Sequence, residues 1–250
     1  MFKAAVGNAR TWKNLLSAIS PLIEEGDFVV ALEGITMRAM DPSHVAMVDF
    51  EYRKPAFKEY ECTAPTKIRL NVTDIAKKLR GAGQDPLEMA YDEKTRKLTM
   101  VVKGKWTTTF TLPTLDSSGE NVPIPKLEFK SKLKTTSAAF KEIIEQIQSV
   151  SNDVVLEATP DRITAETVTE LSGAKIELDK GSEAVLGLEV KEASKSTYNL
   201  NYLAQVAAAG TQVAELVTVE FSTNMPIRLE YDISENGKLV YYVAPRIEPA

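Results

Sequence analysis

Five cations of the chain, Lys13, Lys77, Lys78, Arg80 and Lys141, stand where helical periodicity places them on outward faces, and the chemistry open to them is contact with phosphate. Covalent chemistry has little to draw on. Cys62 is the one cysteine and His44 the one histidine, so the sequence excludes an internal disulfide and offers no thiol–imidazole cluster for zinc. His44 follows Asp41-Pro42-Ser43 and reads as a turn residue with no partner base or nucleophile. Gly81-Ala82-Gly83 follows a helix pattern instead of opening one, which argues against a phosphate-cradling loop. The many acidic residues form no metal signature. We therefore expect no enzyme, no cofactor and no metal.

The elements that carry the cations repeat. Trp12, Leu15, Leu16 and Ile19 form the i, i+3, i+4, i+7 stripe of an amphipathic helix, and 128 residues later Phe140, Ile143, Ile144 and Ile147 form it again. The same offset carries Val72, Ile75, Ala76 and Leu79 to Leu200, Leu203, Ala204 and Ala207. It also carries the strand positions Ile35, Val48 and Phe50 to Ile163, Ile176 and Leu178. One offset relating two helices and the strands between them indicates a duplicated domain. Toward the end of the chain Leu98–Val102 resembles Leu239–Val243 at an offset of 141, which predicts a longer connection before the last strands of the second copy.

Between the copies runs Leu112–Lys126, with three prolines that break any strand ladder. We read residues 1–113 as one domain, 114–126 as a linker and 127–250 as the second domain. Apolar Val122, Ile124 and Leu127 suggest that the linker docks. Short helices beside long antiparallel meanders give an α+β fold with two helices per domain on one side of the sheets. Strands Trp106–Leu112 and Ala174–Lys180 are candidate sheet edges, open to pairing with another chain.

Charge is unevenly spread. The net charge is −5, yet residues 8–23 and 71–84 carry +2 each while 134–150 and 198–210 balance to zero, leaving −9 elsewhere. Helices that are neutral or basic in an acidic chain suggest a surface for a polyanion. No run is long enough to span a membrane and the first residues lack signal-peptide character, so a cytosolic or nuclear protein is expected.

Three separated motifs then carry a resemblance: Met40-Asp-Pro-Ser-His-Val-Ala-Met-Val48, Val122-Pro-Ile-Pro125, and Gly237-Lys-Leu-Val-Tyr-Tyr-Val-Ala-Pro-Arg-Ile-Glu248. Together with the duplication they resemble the DNA sliding clamp of archaeal and eukaryotic type, the proliferating cell nuclear antigen family, over essentially the whole chain. The resemblance implies a ring, usually of three subunits, whose helices line a channel around double-stranded DNA. It implies a processivity factor without enzymatic activity that tethers replicative DNA polymerase, flap endonuclease and DNA ligase, and that a clamp-loader ATPase opens. It implies channel contacts at Lys13, Lys77, Arg80 and Lys141, with Arg10 and Lys78 beside them. A hydrophobic groove for partner peptides is implied at Met40, His44, Val45, Val122, Ile124, Pro125, Pro226, Tyr242, Val243, Ala244, Pro245 and Ile247. Subunit contacts are implied at Thr108, Phe110, Lys175 and Ile176. One departure stands out: Asn201 and Ala208 occupy a fourth helix that is usually basic in the family. The location implied is cytoplasmic and nucleoid-associated in an archaeon, or nuclear in a eukaryote. Two other readings remain: one subunit of a heterotrimeric or checkpoint-type clamp, and a small-molecule enzyme of α+β fold.

Overall fold

The computed structural model describes residues 1–117, 119 and 121–247. Glu248 of the third motif lies outside them. The chain divides into two compact units: residues 1–42, 48–123 and 233–239 form the first, and residues 43–47, 124–232 and 240–250 the second. Each is α+β.

The first unit runs β1 (Phe2–Val6), α1 (Ala9–Ile19), β2 (Glu25–Ala31), β3 (Gly34–Met40), β4 (Ala46–Arg53), β5 (Glu59–Cys62), β6 (Thr66–Asn71), α2 (Val72–Lys78), β7 (Leu87–Asp92), β8 (Lys97–Lys103) and β9 (Thr107–Pro113). The second runs β10 (Ser131–Thr136), α3 (Ser137–Gln148), β11 (Asp153–Thr159), β12 (Arg162–Val168), β13 (Gly173–Asp179), β14 (Gly187–Val190), β15 (Ser194–Asn199), α4 (Leu200–Gly210), β16 (Leu216–Phe221), β17 (Ile227–Ser234) and β18 (Gly237–Val243). Strand order is β5-β1-β7-β8-β9 and β4-β3-β2-β6 in one set, β14-β10-β16-β17-β18 and β13-β12-β11-β15 in the other. Each strand of the second set takes the place of the strand nine earlier, so the repeat extends to topology.

The capping residues repeat as well. Asn8 accepts a hydrogen bond from the Arg10 N–H (3.0 Å) and Thr136 from the Ala139 N–H (3.1 Å). Asn71 accepts from the Asp74 N–H (2.8 Å) and Asn199 from the Asn201 N–H (2.9 Å). Both pairs are 128 residues apart, and all four side chains satisfy an otherwise orphaned donor of a first turn. The apolar stripes then point inward. Trp12, Leu15, Leu16 and Ile19 are buried on α1, and Phe140, Ile144 and Ile147 on α3. Trp12 meets the rings of Phe50 (6.1 Å) and Tyr52 (5.7 Å) edge-on. Each such side chain removed from water contributes about 1.5–3 kcal/mol.

The end of the repeat differs from the sequence reading. Leu98–Val102 lies in β8, whose counterpart is β17, whereas Leu239–Val243 lies in β18, the counterpart of β9. The inward positions Thr108, Phe110 and Leu112 answer Leu239, Tyr241 and Val243 at an offset of 131. Beyond the strand the bridge Arg69↔Leu115 answers Thr197↔Arg246, with the tail residues again 131 apart. The second copy is therefore longer by three residues. The offset of 141 matched two apolar strands of neighbouring rank, because adjacent strands of one sheet share their pattern of burial.

Candidate functional site

The cations fall on the helices and their ends. Arg10 on α1 and Lys77 and Lys78 on α2 are exposed, Lys13 is half-buried, and Arg80 is exposed in a 3-10 turn, Leu79–Gly81, that continues α2. Among the described residues none of these five takes part in an ion pair. On α3 the Lys141 ammonium lies 3.2 Å from the Glu145 carboxylate one turn on, so that pair is neutral. Glu142 instead accepts from the Gln146 amide at 3.1 Å. The exposed side chains of α4 include Asn201 and Gln205, and Gln148 of α3 donates to Asn201 at 3.4 Å. The first unit thus presents cations on its helices, and the second presents amides and compensated charge.

The groove residues divide between the units. In the first, Met40 is half-buried at the end of β3. Val122 is held by its carbonyl, which accepts from an Arg38 Nη at 3.2 Å, while the other Nη is paired with Asp49 at 2.9 Å. More of the linker is tied to the same unit. Ser117 donates to Asp27 (3.0 Å), Asp116 pairs with Arg96 (2.7 Å), and the Leu115 N–H donates to the Arg69 carbonyl (3.0 Å). In the second unit, His44 adopts φ 55°, the left-handed region, on a turn beside Val45. The Ala244 N–H donates to the Val45 carbonyl at 2.8 Å and the Arg246 N–H to Thr197 at 2.7 Å, and Arg246 is ion-paired with Asp153. Ile124 and Ile247 are 56% and 78% exposed, unusual for isoleucine and available to an apolar partner. Pro125, Pro226, Ala244 and Pro245 are half-buried.

Of the remaining groove positions, Val243 is fully buried and Tyr242 nearly so. Alternation along β18 breaks down here because both of its faces are covered. The Tyr242 hydroxyl accepts from Arg228 Nε at 3.2 Å. Burial alone would lower the pKa of Arg228, but Glu230, Tyr242 and Glu220 outweigh it and hold the guanidinium charged. Sequence reasoning missed Arg38 with Asp49 and Arg228 with its two glutamates. The available signal was an arginine and a carboxylate on the same face of neighbouring strands, at the half-buried positions that alternate with the core residues, where a charge is tolerated only when paired.

The candidate contact strands are edges. β9 ends one sheet and β13 another. On β9 Thr108 and Phe110 are half-buried, as is Ile176 on β13. Lys175 is exposed and bound to Glu177 at 2.9 Å, which holds the ammonium above its ordinary pKa.

The family model described as "Proliferating cell nuclear antigen, N-terminal domain" matches residues 1–115, and the one described as its C-terminal domain matches residues 123–246. The chain belongs to the proliferating cell nuclear antigen family. Relatives agree along its whole length. A protein of Nitrosopumilus maritimus named "DNA polymerase sliding clamp" is 33% identical over 248 residues, 99% of each chain. One of the same name from Thermococcus gammatolerans is also 33% identical over 99% of each chain. The crystal structure of PCNA from Thermococcus kodakaraensis superimposes with a TM-score of 0.93 at 27% identity, covering 98% of this chain and 100% of that one. The duplicated α+β architecture read from the sequence is thus that of the proliferating cell nuclear antigen family. Among the described residues no helix is long and apolar enough to cross a membrane.

Proposed function

We propose that this protein is a sliding clamp that raises the processivity of a DNA polymerase. Three copies close a ring around duplex DNA, and α1 to α4 face the phosphates. Contacts to phosphate from Arg10, Lys13, Lys77, Lys78 and Arg80 carry no sequence information, which suits a ring that must move along DNA. Lys141 joins them only when it leaves Glu145. Apolar residues of the second unit, Val45, Ile124, Ala244, Pro245 and Ile247, receive short peptides of the polymerase, a flap endonuclease and a DNA ligase, and a clamp-loader ATPase opens the ring. The relatives are archaeal, which favours a nucleoid-associated protein of the archaeal cytoplasm.

The observation that carries this reading is the repeated strand order, four helices on two like units, in a chain matched end to end by the two halves of one family. The test is primer extension by the cognate polymerase on a singly primed circle, with and without the clamp and its loader. Longer products in one binding event are expected. Unchanged product length, with a chain that stays monomeric in light scattering, would overturn it.

A further inference from the structure

A cavity of about 30 Å³ lies in the core of the first unit. Trp12 and Leu16 of α1 and Ile75 of α2 line it from the helices, and Met89 of β7 and Met100 of β8 line it from the strands. Every residue around it is buried, and its walls are apolar. The space persists because its largest side chains are held from behind. The Phe2 ring packs on Tyr60 (5.7 Å), Trp12 on Tyr52 (5.7 Å) and Phe28 on Phe50 (6.4 Å). In each pair the first ring lines the cavity and the second lies outside it, so none of the three is free to swing in.

The repeat shows what the first unit lacks there. Leu70 of β6 lines the cavity, and 128 residues later stands Tyr198. Tyr198 is fully buried, and its hydroxyl donates to the Met225 carbonyl at 2.8 Å. The second copy therefore carries a ring, anchored at its far end, where the first carries a shorter side chain. Water does not make up the difference. A single water needs about 10–15 Å³ and two to four polar partners. The volume suffices, but apolar walls offer no partners, so the cavity is dry. A dry void deprives its lining of dispersion contacts on one side.

We propose that this cavity is a binding site for one small apolar guest, a monatomic or diatomic gas, for which xenon is the probe. A polarizable atom restores the missing dispersion contacts. Two thioethers, Met89 and Met100, give the walls soft and adaptable surface on which to receive it. Entry follows local opening of the unit, since buried side chains close the space on every side. The site is independent of the ring and of the partner-peptide surface, and none of the channel cations lines it. Because α1 and α2 border it, a bound guest steadies both helices of the first unit.

The test uses the intact protein with methyl-labelled methionine, titrated with dissolved xenon under pressure and read by NMR. The Met89 and Met100 methyl resonances should move along one saturating curve, while those of Met1 and Met225 stay in place. Val30 also lines the cavity, and Val30→Ile adds a methylene to it. That variant should lose the xenon response at least several-fold and keep its circular dichroism. Met89→Ala enlarges the space and should bind xenon more tightly, with Met100 as the reporter. Unsaturable or absent shifts at Met89 and Met100 in the unmodified protein would overturn the site. So would an unchanged response in folded Val30→Ile, or a water resonance with cross-relaxation to these two methyls.

Discussion

Gly210, the last residue of α4, lies against the ring of Tyr231: a Cβ there would overlap the ring carbons Cε1 and Cζ. Tyr231 is fully buried, stacks edge-on with Tyr241 at a centroid distance of 6.0 Å, and cannot swing out. Gly210→Ala therefore overpacks the second unit. Overpacking costs about 1–3 kcal/mol, against a helix-propensity gain of at most about 1 kcal/mol. A net destabilisation of about 1–2 kcal/mol is expected in urea unfolding, and an unchanged midpoint would show that the ring yields without cost.

Channel charge should be unequal between the units. Lys77→Ala with Arg80→Ala should weaken retention on circular DNA and flatten its dependence on log salt by about 0.9 for each phosphate no longer neutralised. Lys141→Ala should do much less, since Glu145 already neutralises it. Dissociation rates across a salt series give both slopes, and equal slopes for the two variants would place the phosphates elsewhere.

An acidic residue in the apolar surface should repel the aromatic anchors of a partner peptide. Met40→Glu with Ile247→Glu should abolish peptide binding in calorimetry while mass by light scattering stays unchanged. Arg38→Ala should weaken the same binding less, by freeing the linker at Val122. Retained affinity in the double glutamate variant would move the site off these residues.

Proline tests the seam between copies in the ring. Phe110→Pro removes an N–H that points into the chain's own β8, so it would damage the first unit as well as assembly. Thr109→Pro removes one that points outward, and should give folded monomers with an unchanged thermal midpoint. Intact assembly of the Thr109 variant would show that β9 is not the seam.

Alkaline pH should unfold the protein through its tyrosines. Burial raises the pKa of Tyr52, Tyr60, Tyr198, Tyr231 and Tyr241, and for Tyr60 nearby Cys62 and Glu33 add to the effect. A raised folded-state value means the stabilisation is whole below the ordinary tyrosine value near 10 and falls away as pH climbs toward the folded one. Tyr198, Tyr231 and Tyr241, the most deeply buried, each cost up to about 1.4 kcal/mol per pH unit in that window, and Tyr52 and Tyr60 cost less because solvent screens them. Phenolate absorbance of these five should therefore rise together with loss of circular dichroism; ionisation in a still-folded protein would contradict it.

The duplication was legible in the chain because periods of 3.6 and 2 are local. Trp12 to Ile19 and Phe140 to Ile147 each declare a buried helix face without reference to anything distant, and the motif residues around Asp41 and Pro123 announced the family. Which strand neighbours which was not legible. Leu98–Val102 and Leu239–Val243 look alike because every inner strand of a sheet sees the same apolar surroundings, and only hydrogen bonding distinguishes β8 from β9. The pairing of Arg38 with Asp49, the ring of Tyr231 over Gly210, and the burial of Val243 depend on residues distant in sequence and brought together by the sheets. Composition and spacing determined what kind of protein this is; long-range packing decided which side chains reach its surface.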